Sequence, residues 1–361
     1  MTEQSHLYRG TRVLVIAAAL VIIIGGVSQA QSVLVSFLVA VFLAVIGTPP
    51  VLWLERRRIP SVVAVLLVVA GMVTVLLMIG AVVGASINRF YAELPVYQAR
   101  LQEQVSIFQA FLATKGIRAM DKILLGYVNP GAVMSLTAHM LAELGAALSN
   151  IILILLTVVF ILLEASSFPV KLRAVLGHSQ RTFPQVTRFV GDIERYMVIK
   201  TLISLATGIL IGGWLFILGV EFPVLWGFLA FLLNYVPNVG STVAAVPAVL
   251  LALIQLGMGH AALAAAGYMA VNFILDNVIE TRLMGRRLGL STLVVFLSLI
   301  VWGSLLGPIG MVLCIPLTMT LKFACESSED TRWIAMLLGR EPSTESVPPV
   351  SNKVAKKNRM F

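Results

Sequence analysis

Residues 222–256 read FPVLWGFLAFLLNYVPNVGSTVAAVPAVLLALIQL. Two apolar runs flank a polar, breaker-rich centre, Asn234-Tyr235-Val236-Pro237-Asn238-Val239-Gly240-Ser241. Each run holds about 15 residues, about 22 Å of helix at 1.5 Å per residue. That is short of the ~30 Å hydrocarbon core of a bilayer. The stretch therefore predicts a re-entrant helical hairpin, with a pair of short spans in a thinned bilayer as the alternative. A break at membrane depth frees backbone carbonyls and amides, which is tolerated only where protein buries them or water reaches them. Discontinuous membrane helices of this kind place polar groups where a solute or ion can meet them.

A second stretch repeats the pattern downstream. Leu290 to Leu321 is interrupted at Trp302-Gly303-Ser304-Leu305-Leu306-Gly307-Pro308-Ile309-Gly310. Pro237, Gly240 and Pro247 in the first stretch are followed by Pro308, Gly310 and Pro316 in the second, a weak internal repeat. The bland reading is that Gly and Pro are simply common in membrane helices.

The rest of the chain fits a membrane setting. Of its 361 residues 59% are hydrophobic and 12% charged, against about half and a quarter in soluble domains. Six segments are long enough to span: roughly Val13 to Val27, Val33 to Leu54, Val62 to Val83, Leu144 to Leu163, Met197 to Val220 and Ala261 to Ile279. The expected fold is an all-α polytopic helical bundle of about six full spans plus two Pro/Gly-interrupted hairpins. The first segment also resembles a signal peptide, with Arg9 and Arg12 before it and Ser28-Gln29-Ala30 after it. An uncleaved first span is the competing reading, and further spans downstream favour it.

Basic clusters set the orientation. Arg56-Arg57-Arg58, then Lys171, Arg173, Arg181 and Arg188, then Arg282, Arg286 and Arg287, and the tail with Lys353, Lys356, Lys357 and Arg359 all predict cytoplasmic segments. With six spans both termini are expected in the cytoplasm of a cell bounded by a plasma (inner) membrane. The expected organisation is N-terminal membrane helices over 1–84, an extracytoplasmic helical region over 85–143, a membrane domain over 144–325 and a cytoplasmic tail over 326–361. Within the third, residues 165–196 form a basic linker. In the 85–143 region Leu94, Leu101, Val105, Phe108 and Leu112 recur at helical spacing. In the linker Val186, Phe189, Val190 and Ile193 oppose Arg181, Arg188 and Arg195, which predicts an interfacial helix on the inner leaflet.

Several chemistries find no residues to carry them. There is no Walker loop, GxSxG or HExxH motif, so no catalytic residue is assigned and the chain is read as a non-enzyme. Cys314 and Cys325, with His6, His139, His178 and His260 scattered, give no metal-ligand spacing, so no metal and no cofactor are expected. The net charge of +9 sits between apolar runs without the aromatic interleaving of a nucleic-acid platform, so no nucleic-acid partner is expected.

Between the two interrupted stretches lies Asn272-Phe273-Ile274-Leu275-Asp276-Asn277-Val278-Ile279-Glu280. Asn272, Asp276 and Glu280 are spaced by four, which puts them on one helix face, with Asn277 beside them. Carboxylates in a membrane helix are costly and face a cavity or a partner. Arg282 and Arg286 are within reach of Glu280, and Lys200 is expected to snorkel to the interface. The expected solute path is therefore Asn234, Pro237, Asn238, Gly240, Asn272, Asp276, Asn277, Glu280, Gly307, Pro308 and Gly310.

Taken in order, these motifs, together with Leu288-Gly289-Leu290-Ser291 and Ile315-Pro316-Leu317, resemble the autoinducer-2 exporter family of bacterial permeases. The likeness runs from about residue 10 to 340. The family often has an aromatic at the position of Asn238 and prolines at those of Ser241 and Thr281. The resemblance implies a homo-oligomeric transporter in the lipid bilayer that moves a small polar organic solute, such as a furanosyl signalling molecule, out of the cell. Sodium/proton antiport, also associated with relatives, is the alternative. A non-transporting membrane scaffold is a third reading.

Overall fold

The computed structural model describes residues 15, 18, 19, 21–114, 151–176, 182–237, 239–284, 290–326 and 331–339. Among the described residues there is no strand, only an isolated antiparallel bridge between Leu290 and Gly339. The helices are α1 (Gln31–Arg56), α2 (Ser61–Thr114), α3 (Ile151–Leu176), α4 (Thr182–Leu218), α5 (Pro223–Leu233), α6 (Gly240–Leu256) and α7 (Met258–Asn272). A π-helical stretch, Phe273–Glu280, then runs into α8 (Thr281–Met284), followed by α9 (Thr292–Val312), α10 (Cys314–Glu326) and α11 (Arg332–Leu338).

Five described helical stretches are long and apolar enough to cross a membrane: Gln31–Arg56, Ser61–Tyr97, Val186–Leu218, Met258–Leu283 and Thr292–Val312. Shorter apolar helices at Ile151–Ala165, Pro223–Leu233 and Gly240–Leu256 accompany them. Their outward faces are strongly apolar: Phe216 and Ile217 on α4, Ile152 on α3 and Met269 on α7 are all exposed. Water would drive such faces together, whereas lipid solvates them. The chain is an all-α polytopic membrane protein.

Among the described residues three apolar clusters hold the bundle. In one, Ala40 and Ala44 of α1 meet Val65 of α2 and Val158 of α3, all buried. In the second, both limbs of the first hairpin, α5 and α6, pack with α2, α4 and α7 through Trp226, Leu251, Phe90, Leu215 and Tyr268. In the third, α10 and the middle of α4 meet through Cys314, Met319, Tyr196 and Met197. The first limb lies close on α4: a Cβ on Gly227 would sit 2.7 Å from the Gly208 carbonyl oxygen and 3.0 Å from Gly212 Cα. Small residues at such a crossing let helix backbones approach in lipid.

Both expected breaks are present. The first lies between Leu233 and Gly240, and the chain folds back so tightly that a Cβ on Gly240 would lie 1.7 Å from the Leu233 carbonyl oxygen. The second is at Gly307, which has φ 68° and ψ −152° inside α9, a conformation that favours glycine. Beyond it the chain reverses: a Cβ on Gly310 would lie 2.0 Å from the Trp302 carbonyl oxygen, and Trp302 Nε1 donates to Thr318 Oγ1 across the limbs at 3.0 Å. Thr292–Val312, long enough to span by residue count, is thus the first limb and tip of a hairpin.

Four sequence expectations change. The stretch 21–29 does not reverse into α1. Ala30, at φ −89° and ψ 10°, is near-helical, and Ala30 N–H to Gly26 O and Leu34 N–H to Ala30 O carry helical bonding across it. A bend joins the two. The third segment does not end near Val83, because the same helix continues to Thr114 through Pro95. At 54 residues it is about 80 Å long, far more than a bilayer core requires. The basic linker does not form a separate interfacial helix, because Val186 to Arg195 belong to α4, one 37-residue helix. Lys200 does not snorkel; it is buried and ion-paired. Residues 115–143 of the expected extracytoplasmic region, the first residues of the expected span from Leu144 and the tail from 340 lie outside the described residues.

At the far end of α4 from Lys200, the buried Tyr97 of α2 shares its hydroxyl between Glu93 and Glu221. Glu221 N–H donates to Gln255 Oε1 at 3.1 Å, and Trp226 Nε1 donates to the Glu221 carbonyl at 3.0 Å. The long α2 helix is thereby tied to both roots of the first hairpin.

Candidate functional site

The tip of the first hairpin rests on α4, whose buried face here carries Lys200, Ser204 and Thr207. Asn234 Nδ2 donates to Ser204 Oγ at 3.1 Å. Tyr235 Oη donates to Thr201 Oγ1 at 2.8 Å, and Thr201 Oγ1 donates to the Met197 carbonyl at 2.7 Å. The Tyr235 ring stands edge-on to Phe42 of α1 and Phe231 of α5. These bonds anchor the tip's side chains to α4, while Val236 N–H donates to the Leu233 carbonyl and Gly240 N–H to that of Val236, so the turn finds within the protein the partners that lipid lacks.

Opposite the tip stands the π-helical stretch Phe273–Glu280. One extra residue per hydrogen-bonded turn widens the helix, and such insertions recur at functional sites. Thr281 Oγ1 donates back to the Asp276 carbonyl at 3.3 Å. Lys200 Nζ donates to both Glu280 oxygens, at 2.8 and 3.0 Å, which locks α4 to the end of this stretch. The Lys200 side chain is 6% exposed and that of Glu280 18%, so the pair is largely withdrawn from solvent.

Between tip and π-helical stretch lies a cavity of about 880 Å³. Six of the expected path residues line it together: Asn234, Pro237, Asn272, Asp276, Asn277 and Glu280. Lys200, Ser241, Thr242 and Ile315 line it too. Gly240 forms the tip behind the cavity without lining it, and Asn238 lies outside the described residues. Gly307, Pro308 and Gly310 are elsewhere, at the tip of the second hairpin, where a Cβ on Gly307 would approach Gln31 Nε2. The second hairpin reaches the cavity through Ile315 instead.

Two charge assignments are corrected. The partner of Glu280 is Lys200, eighty positions away in sequence, and Arg282 is exposed. Arg286 lies outside the described residues. Asp276, read from sequence as a neighbour of those arginines, has its Oδ1 buried with no hydrogen-bond partner among the described residues. Sequence reasoning also missed Ser204 and Thr201. Their signal was the hydroxyl row Thr201, Ser204, Thr207 at helical spacing in an apolar run.

A family model described as AI-2E family transporter matches residues 14–330. The chain belongs to this family. Among its relatives is the "AI-2 transport protein TqsA" of Escherichia coli (strain K12), 39% identical over 329 residues, covering 91% of this chain and 96% of that protein. The "Putative transport protein YhhT" of the same organism is 36% identical over 330 residues, covering 91% and 95%. A "Putative transport protein" of Haemophilus influenzae is 35% identical over 334 residues, covering 91% and 96%. This AI-2E transporter is therefore a multi-pass membrane permease, as the interrupted helices and polar path residues led the sequence reading to expect.

Proposed function

We propose that this permease moves a small polar organic solute of the AI-2 type out of the cell, through the cavity between the first hairpin tip and the π-helical stretch. The carrying observation is that this cavity gathers amide, hydroxyl, carboxylate and ammonium groups from three separate elements at a helix break. A scaffold has no use for such a lining, and water or a hydrogen-bonding solute satisfies it. TqsA, a relative similar over nearly its whole length, is named for AI-2. The basic loop at Arg56 to Arg58 and the basic C-terminal tail are assigned to the cytoplasm of a bacterial inner membrane. The sequence argument for a cytoplasmic N-terminus used a reversal that the bend at Ala30 does not supply. Assembly is proposed to be homo-oligomeric, with residues 85–143 as the extracytoplasmic helical region.

One observation favours a second reading, sodium/proton exchange. Asp276 Oδ1 lies unpartnered at the cavity, and a carboxylate that alternates between proton and cation suits antiport. Liposomes containing only this chain separate the two. AI-2 released down its gradient, retained in Asp276→Asn, supports the solute permease, because the amide keeps the hydrogen bonding and removes ionisation. Sodium-driven proton movement in the wild type, abolished in Asp276→Asn, with no AI-2 flux in either, would overturn it in favour of exchange.

A further inference from the structure

Buried polar groups in folded proteins are nearly always hydrogen-bonded, so each exception calls for a reason. Among the described residues five buried side-chain atoms lack a partner: Glu55 Oε1, Gln255 Nε2, Tyr268 Oη, Asn272 Oδ1 and Asp276 Oδ1. Three of the five stand at four-residue spacing, and that spacing puts them on one face of α7 and its π-helical continuation. Asn272 and Asp276 line the cavity; Tyr268 is one turn further along α7, away from Glu280.

Tyr268 is the unexpected member. Its residue is 2% exposed, set in the apolar cluster with Leu215 and Leu251, each 0% exposed. A hydroxyl without a partner in such surroundings is destabilising, and phenylalanine would fill the same space without that penalty. Packing alone therefore does not account for a tyrosine. The row Asp276, Asn272, Tyr268 offers two acceptor oxygens and then a hydroxyl.

We infer that the solute route continues from the cavity past Asn272 to the hydroxyl of Tyr268, which is a contact residue for the solute during passage. The inference rests on the reading of the cavity as the transport route. The groups of the row complement a small solute carrying several hydrogen-bond donors. Beyond Tyr268 the route meets the apolar cluster of Trp226, Phe90 and Leu251, and this conformation is sealed there.

Cysteine modification tests this without knowledge of the solute. In a full-length background carrying Cys314→Ala and Cys325→Ala, single variants Tyr268→Cys, Asn272→Cys and Leu251→Cys are reconstituted in liposomes. Each is treated with 2-aminoethyl methanethiosulfonate, which reacts with a hydrated, ionisable thiol. Leu251→Cys is the control for a cavity made by truncation in the same cluster. The inference expects Tyr268→Cys to react within about tenfold of Asn272→Cys, and Leu251→Cys to stay unmodified. An unreactive Tyr268→Cys beside a reactive Asn272→Cys overturns the inference and leaves the cavity as the route. Unreactive cysteines at both positions overturn the route itself. Should Tyr268→Cys fail to assemble, Tyr268→Phe decides. A flux of AI-2 lowered at least about fivefold, with a melting temperature equal to or above wild type, supports the contact, since only an unpartnered hydroxyl was removed. Unchanged flux, or a lowered melting temperature, overturns it.

Discussion

The Lys200–Glu280 pair offers the sharpest energetic test. Two bonds of 2.8 and 3.0 Å join an ammonium on α4 to a carboxylate on the π-helical stretch. With side chains only 6% and 18% exposed, neither charge is well solvated when its partner is lost. Removing one member of a buried pair costs about 3–5 kcal/mol, chiefly from the stranded charge. Glu280 opens on the cavity, so for Lys200→Met the lower figure, about 3 kcal/mol, is expected; Glu280→Gln strands the more deeply buried ammonium and should cost somewhat more. The double variant Lys200→Met/Glu280→Gln strands neither, and its loss should be smaller than either single loss, a coupling of more than about 3 kcal/mol. The assay is thermal unfolding of purified protein in detergent, where each single variant should lower the midpoint by roughly 5–10 °C. Additive losses, or single variants that melt like wild type, would refute the argument that this pair is buried and structural.

Other consequences are open to measurement. Gly240→Ala places a methyl where 1.7 Å separates it from the Leu233 carbonyl oxygen, so the tip must open by more than 1 Å. Transport should fall at least about tenfold, equivalent to about 1.4 kcal/mol, and a fully active variant would show that the turn relaxes freely. Gly227→Leu should uncouple the first hairpin from α4, because its Cβ would lie 2.7 Å from the Gly208 carbonyl; loss of folded protein on size exclusion is the expected result. A cysteine at Arg57 should react with impermeant reagents only from the cytoplasmic side, and labelling from outside in intact cells would reverse the orientation.

Much of the fold was written in local chemistry. Pro237, Gly240, Gly307 and Pro308 interrupt apolar runs too short to span, and a break is a local property of backbone and side chain. The face formed by Asn272, Asp276 and Glu280 was legible for the same reason, and it persists although the helix widens there to π geometry. What stayed hidden depends on distant partners. The Lys200–Glu280 and Asn234–Ser204 contacts join positions far apart in sequence, and nothing around Lys200 distinguishes a snorkelling lysine from a paired one. Boundaries also misled. Apolar length marked the ends of spans near Val83 and Met197, but helices do not stop at a membrane surface, and α2 and α4 run on past them. The second hairpin was recognised as a break, yet its tip lies away from the cavity, because packing against α1 decides where it points.

The central claim is that solute passes through the cavity between hairpin tip and π-helical stretch. Thr242 lines that cavity and is exposed, so a larger side chain there occupies the route without entering the core. AI-2 flux should be measured in liposomes containing only the Thr242→Trp variant. The account predicts a loss of at least about tenfold with stability within about 0.5 kcal/mol of wild type, as for other exposed substitutions. Wild-type flux through a folded Thr242→Trp protein would contradict it.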